Sequence, residues 1–245
     1  MKAKFTIITL FREALEPYLN SSMMFKAAKN GIVEFEFVNL RDFGLGPHKS
    51  VDDTPYGGGD GMLLRPEPVF AAIESIKAKD PSAEVIMPTP AGKTWNQELA
   101  RQFAGINGIN LTIDALENSI TGKNQTINPS ALNHKHYIIL CPHYEGYDER
   151  ILTIVDHQIS LGHYVLTGGE LPALIIIDSI VRLLPGVLGG NTSAEIESFS
   201  DGDNVEFPQY TKPYDFRGMT VPDILLSGNH GEIAKWRKAN QKSAK

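Results

Sequence analysis

A single cysteine, Cys141, stands among 245 residues. This excludes an intramolecular disulfide and a cysteine-rich metal site, and it fits a reducing compartment, so the cytoplasm is the expected location. Nor is there an excess of positive charge: 23 Lys and Arg face 29 Asp and Glu, for a formal net charge of -6. A protein that coats nucleic acid nonspecifically needs many cations facing phosphate, so that class is excluded, and any RNA binding has to come from a local patch or an assembled groove. Long hydrophobic runs are missing as well. The most apolar stretch, Leu171 to Leu188, is broken by Asp178, Arg182 and Pro185, which argues against a membrane span. Near the start, Lys2 and Lys4 precede the apolar run Phe5 to Phe11, but Arg12 and Glu13 follow at once without a small-residue cleavage pattern. A first strand is expected there, not a signal peptide. No internal repeat is visible.

The chain does carry enough apolar residues, 42%, to bury a sizeable core. Short β-rich runs at Phe5–Leu10, Ile32–Val38, Glu84–Pro88 and Tyr137–Cys141 alternate with helix-like stretches at Pro68–Lys79 and Trp95–Phe103. That alternation predicts an α/β sheet covered on both faces. Gly and Asn cluster between Gly105 and Asn128, which suggests a surface excursion. A helix is expected from about Pro172 to Leu184, with proline in its first turn, Pro185-Gly186 as its stop and apolar residues nearly all round, so it should be buried. After Gly190 the composition turns polar and then ends basic, with Lys235, Arg237, Lys238, Lys242 and Lys245. The division expected is a domain over 1–189, a linker over 190–203 and a smaller domain over 204–245.

Four segments look too specific for packing alone. Pro55 to Gly61 holds four glycines, which permit positive φ and close approach of backbone to a ligand, although such turns are often plain loops. Cys141 to Arg150 follows a buried-looking strand and packs five ionisable side chains beside two tyrosines. Ligands of open α/β sheets gather at carboxyl ends of strands; the alternative for Asp148 and Glu149 is a helix start that favours acids. Leu161 to Pro172 runs through a double glycine directly into the long helix, so its main-chain groups can read the edge of an adenine. The alternative is a tight turn with Glu170 as a cap and His163 at the surface. Last, Asp178 and Arg182 are spaced for an intrahelical ion pair, yet a permanent cation at the end of an apolar helix also suits an anionic substrate.

At these segments the chain resembles the bacterial tRNA (guanine-N1)-methyltransferases, the TrmD family of the SPOUT class. The matching stretches are DDTPYGGGDGM (Asp52–Met62), YEGYDER (Tyr144–Arg150), GHYVLTGGELPALIIIDSIVRLLPGVLG (Gly162–Gly189), ESF (Glu197–Phe199), PQYTKP (Pro208–Pro213) and VPDILLSGNHGEIAKWR (Val221–Arg237). They cover nearly the whole chain in the family's order. The resemblance implies an α/β fold with a SPOUT-type trefoil-knotted parallel-sheet domain and a small helical C-terminal domain, here shortened. It implies a homodimer with sites across the interface, no membrane, and the anticodon arm of tRNA as partner. S-adenosyl-L-methionine is the implied methyl donor, held by Thr89, Pro90 and Gly92, by Pro142, Tyr144, Glu145 and Gly146, and by Leu161, Gly162, His163, Tyr164, Val165, Leu166, Gly168, Gly169 and Pro172. The substrate side falls to Gly57, Gly58, Gly59, Asp60, Ser198, Lys235, Arg237 and Lys238.

The implied acceptor is N1 of the guanosine at tRNA position 37. That nitrogen carries a proton at neutral pH, so methylation needs a base for it and a cation for the charge growing on O6. By the resemblance Glu197 takes the base position, where the family has aspartate, and Arg182 takes the cation's. No protein metal site is expected; a divalent metal such as magnesium remains open as an assistant. Pro142-His143 stands where the family has Gly-Arg, and His163 where it has Asp. A non-catalytic RNA-binding relative and a SPOUT enzyme for another RNA are the rival readings.

Overall fold

The structure is a computed structural model that describes residues 3–106, 135–188, 197–199 and 204–243. The described residues fall into two compact units, one holding 3–106 and 135–188, the other 197–199 and 204–243. Most of the excursion read between Gly105 and Asn128 lies outside the described residues.

The first unit is built on a five-stranded sheet in the order β2-β1-β6-β5-β8, every neighbouring pair parallel. Its strands are β1 (Ala3–Thr9), β2 (Val33–Asn39), β5 (Glu84–Thr94), β6 (His136–Leu140) and β8 (His157–Ser160). Strands of a parallel sheet are buried on both faces and read as continuous apolar runs rather than alternating ones. The five residues of β6 and the last five of β1 are accordingly all buried. On one face Ile8, Val85, Met87, Ile138 and Leu140 pack with Val69, Ala72 and Ile73 of α3 (Pro66–Lys77). On the other face Phe5 and Tyr137 stack at 5.7 Å, and Tyr137 meets Phe103 of α4 (Gln97–Phe103) at 5.4 Å. Fully burying each such side chain stabilises by roughly 1.5–3 kcal/mol. Helices α1 (Arg12–Leu19) and α2 (Ser22–Lys29) connect β1 to β2, and both touch α5 (Glu170–Val181), which also packs on α4.

Helix α5 begins two residues before the expected start and ends at Val181, so Arg182 is its C-cap residue, just past the helix. Pro172 sits in the first turn, where its missing N–H has no partner to lose. The expectation of complete burial needs correction. Eight of its residues are buried, but Leu171 is 59% exposed and Ile175 48%, because this i, i+4 pair lies on the side turned away from the sheet. Among the described residues no helix is long and apolar enough to cross a membrane.

A second, three-stranded sheet joins β3 (Asp52–Asp53), β4 (Leu63–Leu64) and β7 (Gly146–Tyr147). It ties the Gly-rich loop to the segment after β6. In the other unit, the described residues form two antiparallel ladders, β9 (Asn204–Val205) with β12 (Lys242–Ser243) and β10 (Asp215–Phe216) with β11 (Met219–Thr220). One α-helix, α6 (His230–Ala239), is capped by Asn229, whose side chain accepts from the Glu232 N–H. This described part is mixed rather than purely helical.

Candidate active site

Three backbone excursions leave the carboxyl ends of β5, β6 and β8, where ligands of open α/β sheets collect. The first interrupts β5 itself. Pro88 pairs with Ile159, and so does Lys93, which throws Thr89-Pro90-Ala91-Gly92 out of the ladder before the strand resumes. Gly92 is required at the return, since a Cβ there would meet the backbone of Gln158 and Ile159. Thr89 is buried and its hydroxyl lies 2.8 Å from that of Tyr147, while Pro90 and Ala91 are exposed.

The second excursion, Pro142 to Gly146, carries Tyr144 in the left-handed region at φ 70. Its hydroxyl has its pKa pushed up by burial and then by the charge of Asp52. Gly146 pairs with Leu63, and Glu145 receives the approach of Gly61, where a Cβ would strike the Glu145 side chain. Gly57, Gly58 and Gly59 have φ of 88, 81 and 134, so the loop predicted to face substrate does use conformations that favour glycine. Asp60 is exposed on it. Asp148 takes the alternative role: its carboxylate accepts from the Arg150 N–H at the start of a 3-10 turn, and Arg150, 70% exposed, holds its pKa down.

The third excursion, Leu161 to Gly169, leaves His163, Tyr164, Val165 and Leu166 exposed, Val165 at 86%. Gly162 has φ 145 with the Tyr164 ring beside it. The second and third excursions meet directly, Gly169 donating its N–H to the Pro142 carbonyl at 2.7 Å. Gly169 is a point of closest approach, where a Cβ would run into the Pro142 ring and lie 2.7 Å from the Pro142 nitrogen. The three loops that hold most of the residues assigned to the donor by resemblance therefore leave from one end of one sheet, with Pro172 just beyond them in the first turn of α5. At Gly92 and Gly169 these loops lie so close to neighbouring backbone that no larger residue fits.

Beneath the double glycine lies an arrangement the sequence did not disclose. Glu170 is not a helix cap; α5 has no side-chain cap, and Glu170 is buried, accepting the Thr9 hydroxyl at 2.9 Å. Its other oxygen is 3.8 Å from Nδ1 of His143, an atom buried without a hydrogen-bond partner. Residues 161 apart in sequence cannot be paired by any local signal. Burial and Glu170 also push the Cys141 thiol pKa well up, which keeps it an inert thiol.

Arg182 belongs to the first unit, whereas Glu197 and Ser198 belong to the second. Asp178, expected as the ion-pair partner of Arg182, accepts the Tyr18 hydroxyl at 3.0 Å. Ser198 accepts the Glu206 N–H at 3.1 Å, which ties the ESF segment to β9. Of the basic residues, Lys235 bonds Glu232 at 2.8 Å, Arg237 stacks its guanidinium 4.8 Å over Phe207, and Lys238 is exposed. Among the described residues no cluster of three or more His, Cys, Asp or Glu could hold a metal.

Comparison with known proteins adds a consistent set of likenesses. The family model described as tRNA (Guanine-1)-methyltransferase TrmD matches residues 3–117 and 116–245. The tRNA (guanine-N(1)-)-methyltransferase of Citrifermentans bemidjiense is 44% identical over 239 residues, 97% of this chain and 84% of its own. That of Lactiplantibacillus plantarum is 47% identical over 232 residues, 94% of this chain and 82% of its own. The crystal structure of tRNA (m1G37) methyltransferase from Aquifex aeolicus is similar with a TM-score of 0.71 at 33% identity, covering 96% of this chain and 88% of that one.

Proposed function

Because the chain belongs to the TrmD family of tRNA (guanine-1)-methyltransferases, we propose that it methylates N1 of guanosine 37 in tRNA, with S-adenosylmethionine as donor, in the cytoplasm. The observation that carries this reading is the convergence of Thr89–Gly92, Pro142–Gly146 and Leu161–Gly169, locked by the Gly169 to Pro142 hydrogen bond. The donor supplies an electrophilic methyl group on a sulfonium. The residues present fit such a molecule: Gly92 and Gly169 let these loops pack tightly on neighbouring backbone, and the exposed Tyr164, Val165 and Leu166 offer apolar cover. We infer that the chain is threaded here as a trefoil knot, a reading supported by its family and by the close backbone approach of Gly92 to Ile159 and of Gly169 to Pro142.

In the proposed mechanism Glu197 accepts the N1 proton of guanine, and the Arg182 guanidinium neutralises the charge that then grows on O6. Glu197 reaches one methylene further than the family's aspartate; its segment is anchored through Ser198. The 55–61 loop, held against Glu145, lines the approach to the donor and would contact the guanosine. Residues 204–245, with Lys235, Arg237 and Lys238, would grip the anticodon arm through phosphate. A homodimer is proposed too, on the exposed large apolar side chains Tyr164, Val165, Leu171 and Ile175 of the first unit, which an interface would take out of water. A solution mass of twice 27.0 kDa supports it and a fully active monomer refutes it.

The deciding experiment incubates the protein with donor and unmodified tRNA and maps the methyl group by nucleoside mass spectrometry. The product expected is 1-methylguanosine at position 37. Donor binding without methyl transfer would instead favour the non-catalytic relative. Glu197→Gln keeps shape and removes basicity, so single-turnover transfer should fall roughly a hundredfold or more with donor affinity retained.

A further inference from the structure

We propose that His143 is a positioning residue of the donor pocket, one that draws the Gly168-Gly169 turn onto bound donor by donating from Nδ1 to Glu170. The inference rests on the reading of Leu161–Gly169 as the donor cradle. Its starting point is a buried imidazole nitrogen without a partner, a state that native proteins rarely retain without a use for it.

One carboxylate oxygen, that of Glu170, stands close to that nitrogen. The imidazole is set by the Phe11 ring at 4.8 Å and by the Tyr144 ring, edge-on at 5.5 Å. Glu170 is fixed independently, because one oxygen takes the Thr9 hydroxyl and Thr9 in turn accepts the Phe11 N–H at 2.9 Å. The second oxygen of Glu170 faces Nδ1 across 3.8 Å, so a movement of under about 1 Å makes a charge-assisted hydrogen bond. Gly168 leaves the gap between them open: a Cβ on it would lie 2.5 Å from that oxygen and 2.7 Å from Nδ1. Pro142, the residue before His143, already holds the Gly169 N–H. Closing His143 on Glu170 therefore moves two of the donor loops together, the one after β6 and the one before α5. That movement is the step that tightens the cradle.

Calorimetric titration with S-adenosylhomocysteine, the unreactive product, tests this in full-length protein. His143→Asn keeps a side-chain N–H close to the place of Nδ1, whereas His143→Phe keeps the ring packing on Phe11 and removes the donor. His143→Gln carries its amide further out, and guards against a folding failure of the phenylalanine variant. The asparagine variant should bind within about threefold of the parent protein, and the other two about tenfold or more weaker. In steady state the loss should fall on the donor KM more than on kcat. Thermal midpoints without ligand should hold or rise in His143→Phe, since a buried unmet polar atom is gone; a purely structural role would lower them. Parent-like affinity in His143→Phe, or an asparagine variant as weak as phenylalanine, overturns the proposal. A parent protein that binds no ligand overturns the donor-cradle reading and this proposal with it, whereas parent binding with indifferent variants overturns this proposal alone.

Discussion

The two ends of the parallel sheet treat the same residue type in opposite ways. At the amino end His136 is buried with both ring nitrogens engaged, Nδ1 with Asp80 at 2.9 Å and Nε2 with the Thr6 hydroxyl at 2.8 Å. Around it Lys4 pairs with Glu36 at 2.6 Å and His157 with Glu84 at 2.6 Å. At the carboxyl end His143 keeps a buried nitrogen unmet, strands are interrupted, and apolar side chains face outward. These polar groups at the amino end satisfy one another locally and serve stability. The carboxyl end leaves the His143 nitrogen unmet and apolar side chains in water, which costs stability and is retained where a ligand completes the structure.

That contrast predicts that substitutions at one end spare the fold and destroy activity, while those at the other do the reverse. The largest effect is expected at the carboxyl end. Gly169→Val drives a side chain into Pro142 and parts the two loops, so donor affinity measured by calorimetry should fall by about a hundredfold or more. Unchanged affinity would break the comparison at its strongest point. Next, Arg182→Ala should slow single-turnover methyl transfer by roughly a hundredfold with donor affinity kept. Asp178→Asn serves beside it to separate lost chemistry from a lost helix partner.

At the amino end His136→Ala takes one partner each from Asp80 and Thr6, so chemical denaturation should show a loss of about 1–3 kcal/mol while donor affinity holds. A variant equally stable but unable to bind donor would invert the assignment of the two ends. The smallest effect concerns acid. Ser82 and then His136 bond the Asp80 carboxylate and lower its pKa to about 2 from its ordinary 3.8. Its contribution is therefore present above that ordinary value and is lost as pH falls through about 2. Asp80→Asn should flatten the stability profile over that interval, and an unaltered acid limb would remove Asp80 from the network.

Much of the first unit was legible from local pattern. Strands at Phe5–Leu10, Ile32–Val38, Glu84–Pro88 and Tyr137–Cys141 fall within one or two residues of their true starts. The run at Glu84 ends late, at Thr94, because β5 resumes after its excursion. Not legible were β8, whose four residues include His157 and Gln158 and give no apolar run, and helices α1 and α2, which have only two buried residues each. A weak local pattern suffices for these elements because their neighbours supply the packing. Glu170 was misassigned for the same reason: a carboxylate at the first turn of a helix suits a cap by sequence, and only its contact with Thr9 shows otherwise.

The sequence by itself determined the membership of the family, the carboxylate and guanidinium offered for chemistry, and the glycines at the turns, since residue types and short-range spacing carry that information. Tertiary structure alone decided that β6 lies between β1 and β5, that three loops from distant segments meet at one sheet end, and that His143 faces Glu170 there. Those are long-range pairings. They follow from burying both faces of a parallel sheet at once, a condition that no single stretch of the chain expresses.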